Sequence, residues 1–242
     1  MIYSEKIKVK YSEVNANGIL TPTALVNYFQ DITMFHSNEV ANTVDILEKK
    51  DWGWVLSAWQ IDVYKEVKAF DEVLLCTSPY DFKGGLGLRN CWLQNSANEI
   101  IAAANSFWTF IDTNKMVPRK IMPEIIASYE PLCEKIEMEY LPRKINVPDI
   151  VEKRPSLDVK YIQLDTNHHV NNCQYIAMAY EVLGLNSVPG RIRAEYKKPA
   201  VFGNVIHPYV GRDNGAYVVD LRDDKGLSYA VVSFDEKIPE KG

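Results

Sequence analysis

Apolar positions recur at helical spacing in two stretches of the chain. In the first, Leu25, Phe29, Ile32 and then Phe35 or His36 follow Thr21-Pro22, a hydroxyl able to cap a helix and a proline suited to its first turn. In the second, Tyr175, Ile176, Ala179, Val182 and Leu183 form the apolar face, with Asn171 or Asn172 as cap and Gly184 as the stop. A short strand is predicted before each helix, at 6–11 and 156–161. Runs rich in Val, Ile, Tyr and Trp predict further strands at 55–64, 72–82, 87–94 and 100–111 after the first helix, and at 191–196, 205–211, 217–223 and 228–234 after the second. Residues 95–98 and 223–226 have hairpin-turn chemistry. Gly84-Gly85-Leu86-Gly87 opens a strand, and no phosphate-loop lysine follows it, so it reads as a hairpin or bend.

The same order of elements therefore occurs twice. A shift of 150 lays Tyr11-Ser12-Glu13-Val14-Asn15-Ala16-Asn17 over Tyr161-Ile162-Gln163-Leu164-Asp165-Thr166-Asn167, and the match runs on to Asp31 over Glu181. A shift of 132 lays Tyr64-Lys65 over Tyr196-Lys197, Phe70 over Phe202 and Val73 over Val205, which implies 18 extra residues in the first copy. Two weak matches in the same order point to a duplicated unit. Between the copies, Pro118, Pro123, Pro131, Pro142, Pro148 and Pro155 stand among many charges, a composition suited to an extended connection. The expected organisation is a first unit over 1–112, a linker over 113–155 and a second unit over 156–242. The expected class is α+β, each unit a long helix wrapped by a curved antiparallel sheet, because no βαβαβ alternation is present.

Composition narrows the function. With 47% apolar and 24% charged residues the chain is ordinary globular material. A net charge of −5 argues against nucleic acid as the main partner. Cys76, Cys91, Cys133 and Cys173 have no CxxC spacing and read as reduced thiols. The N-terminus lacks the apolar core of a signal peptide, and no apolar run approaches the ~20 residues of a membrane helix. A cytoplasmic protein without membrane insertion is expected; assembly into a homodimer is left open.

The densest polar constellation is 164–173, directly before the second helix. Asp165, Asn167 and His169 fall on alternate positions, so an extended loop would turn all three to one side. The helix start brings unpaired N–H groups, here those of Val170, Asn171 and Asn172, that could hold an oxyanion. A carboxylate beside them could activate water or attack a thioester carbonyl. Asn and Asp before a helix are most often caps and turn formers. The first copy, however, has Asn15 for Asp165 and Ile19 for His169, so one copy carries an acid and an imidazole that the other lacks. Glu181, some ten residues into the helix, and Glu195, on the strand near it, are supporting candidates. Cys173 reads as a small buried residue, and His36 and His207 as ordinary. His168 and His169 have no third ligand at sensible spacing, so neither metal nor cofactor is expected.

The run from Leu164 to Ile176, L-D-x-N-x-H-V-N-N-x-x-Y-I, resembles the signature of the acyl-ACP thioesterases, and Glu195-Tyr196-Lys197-Lys198 extends the likeness. The resemblance implies a double hotdog fold and hydrolysis of the thioester between a fatty acyl chain and the phosphopantetheine arm of acyl carrier protein. It implies catalytic roles for Asp165, Asn167 and His169, with Asp165 as general base or nucleophile. It also implies that the first unit, rich in Trp52, Trp54, Trp59, Trp92, Trp108 and Phe110, encloses the acyl chain. In plant members a Glu-Cys pair follows the basic residues; Pro199-Ala200 stands there in this chain. Docking of the acidic carrier would need basic residues. Arg191, Arg193, Lys197 and Lys198 form one candidate group, and Arg119, Lys120, Arg143 and Lys144 another. An acyl-CoA thioesterase and a non-catalytic acyl-thioester-binding hotdog are the alternatives. A hydratase fits less well, because its D-x-N-P-x-H spacing is absent.

Overall fold

The computed structural model describes residues 1–40, 47 and 49–239. Strand β1 (Tyr3–Lys8) leads through a 3-10 turn at Tyr11–Glu13 into helix α1 (Pro22–Glu39), followed by β2 (Trp52–Val63), β3 (Glu72–Lys83), β4 (Leu86–Gln94) and β5 (Ile100–Asp112). The connecting segment holds β6 (Val117–Pro118), α2 (Pro123–Ser128) and β7 (Glu152–Lys153). The second unit repeats the first: β8 (Leu157–Asp158), a 3-10 turn at Tyr161–Gln163, α3 (Asn172–Leu183), then β9 (Arg191–Tyr196), β10 (Val205–Asp213), β11 (Ala216–Arg222) and β12 (Ser228–Asp235).

The caps are those that the sequence offers. Thr21 Oγ1 accepts from the Ala24 N–H, Pro22 is the first helical residue, and Asn171 Oδ1 accepts from the Cys173 N–H. Gly184 closes α3 at φ 63°, a left-handed conformation that costs glycine little. Both segments before the helices depart from expectation. The strands stop early, at Lys8 and Asp158, and Tyr11 and Tyr161 begin 3-10 turns instead. In α1 the buried position is His36, while Phe35 is exposed.

All the main strands join one antiparallel sheet in the order β1-β3-β4-β5-β2-β9-β12-β11-β10, with β7 and β8 both pairing β10. The centre is the pairing of β2 with β9, where Gln60 lies opposite Arg193 and Asp62 opposite Arg191. The two halves are related about this seam. Tyr64 and Lys65 both donate to the Ile101 carbonyl, as Lys197 and Lys198 both donate to that of Tyr229. The second offset is therefore 133, not 132, and the first copy is longer by 17 residues. Phe202 accordingly matches Ala69, and Phe70 takes the place of Gly203, each with a positive φ. Much of the extra length is helix and strand: α1 has 18 residues against 12 in α3, and β2 has 12 against six in β9.

The helices lie on one face of the sheet over a shared core that includes Phe29, Ile32, Trp59, Ile61, Ile176, Ala179, Ile192 and Phe234. Helices α1 and α3 also touch each other. The later part of the connecting segment covers the opposite face, where Met138 packs with Tyr64 and Ala103, and Ile145 with Val218 and Val231, whereas α2 and Tyr129 pack against the end of α1 with Val40 and Phe110. This is the double hotdog arrangement, an α+β fold. No helix among the described residues is long and apolar enough to cross a membrane.

Candidate active site

The loop before α3 is not extended. Leu164 pairs with Val170, the Asp165 N–H donates to the His169 carbonyl at 2.7 Å, and His168 has φ 60°. Asp165 and His169 therefore face each other across the base of a tight loop, and Asn167 sits at its exposed tip. The alternation expected to align all three is replaced by a turn, because Asp165 forms it. Its Oδ1 accepts from the N–H groups of Asn167 (2.8 Å) and His169 (3.2 Å). Asp165 Oδ2 and the His169 ring have no hydrogen-bond partner among the described residues, and both residues are half-buried.

Two of the three expected oxyanion donors are already used. The Val170 N–H donates to the Ala200 carbonyl and that of Asn171 to the Gln163 carbonyl, both at 2.9 Å. The Asn172 N–H, first in α3, has no acceptor among the described residues, as is usual at a helix start. At the equivalent position the first copy has Pro22, which has no N–H at all. Asn172 is fixed in place on both sides. Its carbonyl accepts from Tyr196 Oη at 3.0 Å, and its Nδ2 donates to Gln30 Oε1 of α1 at 3.3 Å.

Sequence reasoning missed this supporting frame. Buried Tyr175 accepts from the Ala200 N–H at 2.8 Å through its hydroxyl oxygen and so holds the Pro199–Ala200 segment after β9 against the loop. Burial, helped by nearby negative groups that include Asp165, pushes its phenol up to about 12, so it stays neutral. Tyr175 and Tyr196 both lie in the runs that carried the resemblance. Gln30 comes from the other copy, 142 residues away, and nothing in the local sequence marks it. Cys173 is buried, and burial pushes its thiol up to about 11, which leaves it a protonated packing residue.

Other candidates are turned elsewhere. Glu195 faces away from α3, since successive strand residues alternate and Tyr196 points to the helix. Its Oε2 accepts from the Ile145 N–H of the connecting segment at 3.1 Å, which removes it from the loop. Glu181 is exposed on α3. Arg191 forms a fork with the fully buried Asp62 (2.6 and 2.9 Å) and reaches Glu139. Arg193 donates to the carbonyls of Pro142 and Lys144, and Lys198 pairs with Asp223. Of that basic group Lys197 alone is exposed without a charge partner among the described residues. Arg119 stacks on Trp52 at 3.9 Å. Among the described residues no cluster of His, Cys, Asp and Glu is arranged to hold a metal. A surface cleft of about 630 Å³, bordered by Lys8, Lys10, Tyr11, Tyr28 and Phe70, belongs to the first copy and not to this loop.

The sequence matches the acyl-ACP thioesterase N-terminal domain over residues 1–129 and the acyl-ACP thioesterase C-terminal domain over 146–226. It is 24% identical over 196 residues to the chloroplastic oleoyl-acyl carrier protein thioesterase of Coriandrum sativum, a match covering 74% of this chain and 53% of that protein. The chain thus spans about half the length of the curated relatives it matches first. The fold is shared with an acyl-ACP thioesterase from Bacteroides thetaiotaomicron (TM-score 0.81, 18% identity, 97% of each chain). It is shared equally with the 12:0-ACP thioesterase from Umbellularia californica (TM-score 0.81, 18% identity, 97% of this chain and 96% of that one).

Proposed function

The chain belongs to the acyl-ACP thioesterase family, and on that premise we propose that it hydrolyses the thioester of a fatty acyl-ACP, releasing a free fatty acid and the carrier thiol. The observation that carries this reading is a junction of two unspent groups. Asp165 Oδ2 and the Asn172 N–H stand where the loop meets α3, and the first copy has neutral Asn15 and the N–H-less Pro22 at the same places.

The proposed chemistry follows from that pair. The thioester carbonyl oxygen lies toward the start of α3, where the Asn172 N–H and the helix dipole stabilise the negative charge that develops on it. Asp165 takes a proton from a water whose oxygen attacks the carbonyl carbon, or attacks that carbon itself to form a mixed anhydride that a water then hydrolyses to the free acid. The thiolate of the phosphopantetheine arm leaves as the tetrahedral intermediate collapses. His169, across the base of the loop, orients the water or protonates the leaving sulfur, and Asn167 at the tip contacts the arm. Pro199 and Ala200 supply no second carboxylate, so a single acid serves the reaction. The acyl chain lies in the first unit, under α1 and along the face that carries Phe29 and Trp59, whose ring centroids are 6.3 Å apart.

Parallel measurement of kcat/KM for acyl-ACP and acyl-CoA of equal chain length tests the reading. Release of free fatty acid with a clear preference for the ACP substrate is expected. Equal or better turnover of acyl-CoA would place the chain with the CoA thioesterases, and binding without release would leave only an acyl-thioester receptor.

A further inference from the structure

The two copies differ on their outer corner as well as in the loop. Each exposes a tyrosine and a phenylalanine there, Tyr11 and Phe70 in the first copy and Tyr161 and Phe202 in the second, but their neighbours differ. In the first copy the Lys10 N–H donates to Glu13 Oε2 at 2.8 Å, and Lys10 Nζ pairs with Glu13 Oε1 at 3.2 Å. In the second, Gln163 stands in for Glu13. Its Oε1 still accepts from the Lys160 N–H at 2.8 Å, so the turn is kept, but the exposed Lys160 ammonium has no carboxylate partner among the described residues. Beside it, Ser12 of the first copy becomes Ile162, 89% exposed, and Ala69 becomes Phe202, 63% exposed. Phe202 packs edge-on against Tyr161 at 6.2 Å, which gathers Tyr161, Ile162 and Phe202 into one apolar patch. The patch adjoins the catalytic loop, because Val201 pairs with His169. Exposed Lys197 directly follows β9 on the way to the same corner.

Exposed Ile162 beside an unpaired cation adds nothing to the turn that Ser12 and Glu13 do not already provide in the same backbone. Such a patch suits a partner that presents an apolar spot edged with carboxylates. We propose that the corner formed by Lys160, Tyr161, Ile162 and Phe202, with Lys197 at its edge, is the docking surface for the acyl carrier protein. The inference deepens the proposed function and rests on it. A carrier seated there delivers its arm past His169 toward the start of α3. Charge complementarity selects this partner: the chain as a whole carries −5, and Arg191, Arg193 and Lys198 are bound to internal partners, so Lys160 and Lys197 provide the free positive charge near the loop.

The test transplants the first copy's residues: Ile162→Ser, Gln163→Glu and Phe202→Ala in one protein. Each residue already serves the equivalent turn of the first copy, so folding is expected to be kept, and thermal melting checks this. Two readouts are taken at fixed salt, the affinity for fluorescently labelled holo-ACP by anisotropy and the kinetics on acyl-ACP and on an acyl-pantetheine thioester of the same chain. The proposal expects about a ten-fold or greater rise in Kd and in KM for acyl-ACP, with kcat kept and acyl-pantetheine kinetics unchanged. An unchanged Kd overturns the docking surface, and so does an equal loss on both substrates. Because the anisotropy arm does not depend on turnover, a wild-type chain that binds ACP through this corner but cleaves neither thioester would overturn the hydrolase reading alone.

Discussion

Asp165 and Asn15 make the same turn with the same atom. Oδ1 of Asp165 accepts from the N–H groups of Asn167 and His169 at 2.8 and 3.2 Å, and Oδ1 of Asn15 accepts from those of Asn17 and Ile19 at 2.9 and 3.1 Å. The carboxamide is therefore enough for the fold, and the charge on Asp165 is surplus to it. Asp165→Asn is expected to leave stability within about 0.5 kcal/mol, as for a change that breaks no contact. It should also lower kcat by roughly 10²–10⁴-fold, the scale of general acid–base catalysis. Urea titration and steady-state turnover check the two halves, and full activity in the Asp165→Asn variant would remove Asp165 from the chemistry. The reciprocal Asn15→Asp is expected to change neither.

The Asn172 N–H can be deleted without disturbing a helix, since Pro22 occupies the equivalent first-turn position of α1. Asn172→Pro is expected to lower kcat by about 10²–10³-fold, the cost of losing one oxyanion donor. Asn172→Ala, which keeps the N–H and loses the bond to Gln30, is the control and should retain most of the activity. If the two variants lose activity equally, the side chain and not the N–H matters.

The seam between the copies depends on a buried charge. Asp62 is fully buried opposite Arg191, whose fork of two hydrogen bonds, together with Glu139, holds the guanidinium well above its ordinary range despite partial burial. Arg191→Ala would strand that carboxylate and is expected to cost about 3–5 kcal/mol in denaturant unfolding. The double variant Asp62→Asn, Arg191→Met should cost clearly less, because no buried charge is left without a partner.

His36 sets an acid limit on stability. It is buried between the rings of Tyr3 and Tyr129, and its Nδ1 lies 2.9 Å from Arg89 Nη1. A guanidinium can only donate, so Nδ1 accepts and the imidazole is neutral with its proton on Nε2. Burial first, and then the Arg89 charge, lower its pKa from 6.5 to about 4. The unfolded chain takes up this proton near 6.5 and the folded chain only near 4. The contribution is therefore complete above pH 6.5 and declines as pH falls from 6.5 to about 4. Urea midpoints measured at about pH 7 and about pH 5 should fall more steeply for the wild type than for His36→Gln.

The local elements were legible in the sequence. Thr21, Pro22, Asn171 and Gly184 mark helix ends through bonds made within a few residues, and strands β3, β4, β5 and β9 follow from runs of β-forming residues between turns. The duplication and the chemically distinct loop were readable for the same reason, as both are one-dimensional patterns. Other features depend on which segments meet, and only the tertiary structure decided them. Hydrogen-bond partners across the sheet, not identities, set the second offset at 133. The connecting segment packs on the outer face and takes up Arg193 and Glu195, which the strand alone left free for the site. Long-range pairing with Ala200 and Gln163 uses the N–H groups of Val170 and Asn171, and Gln30 crosses from the other copy to fix Asn172. A sequence specifies which groups can donate, accept or carry charge; the fold determines which of them are satisfied, and the few left over at the start of α3 are the ones on which the proposed reaction rests.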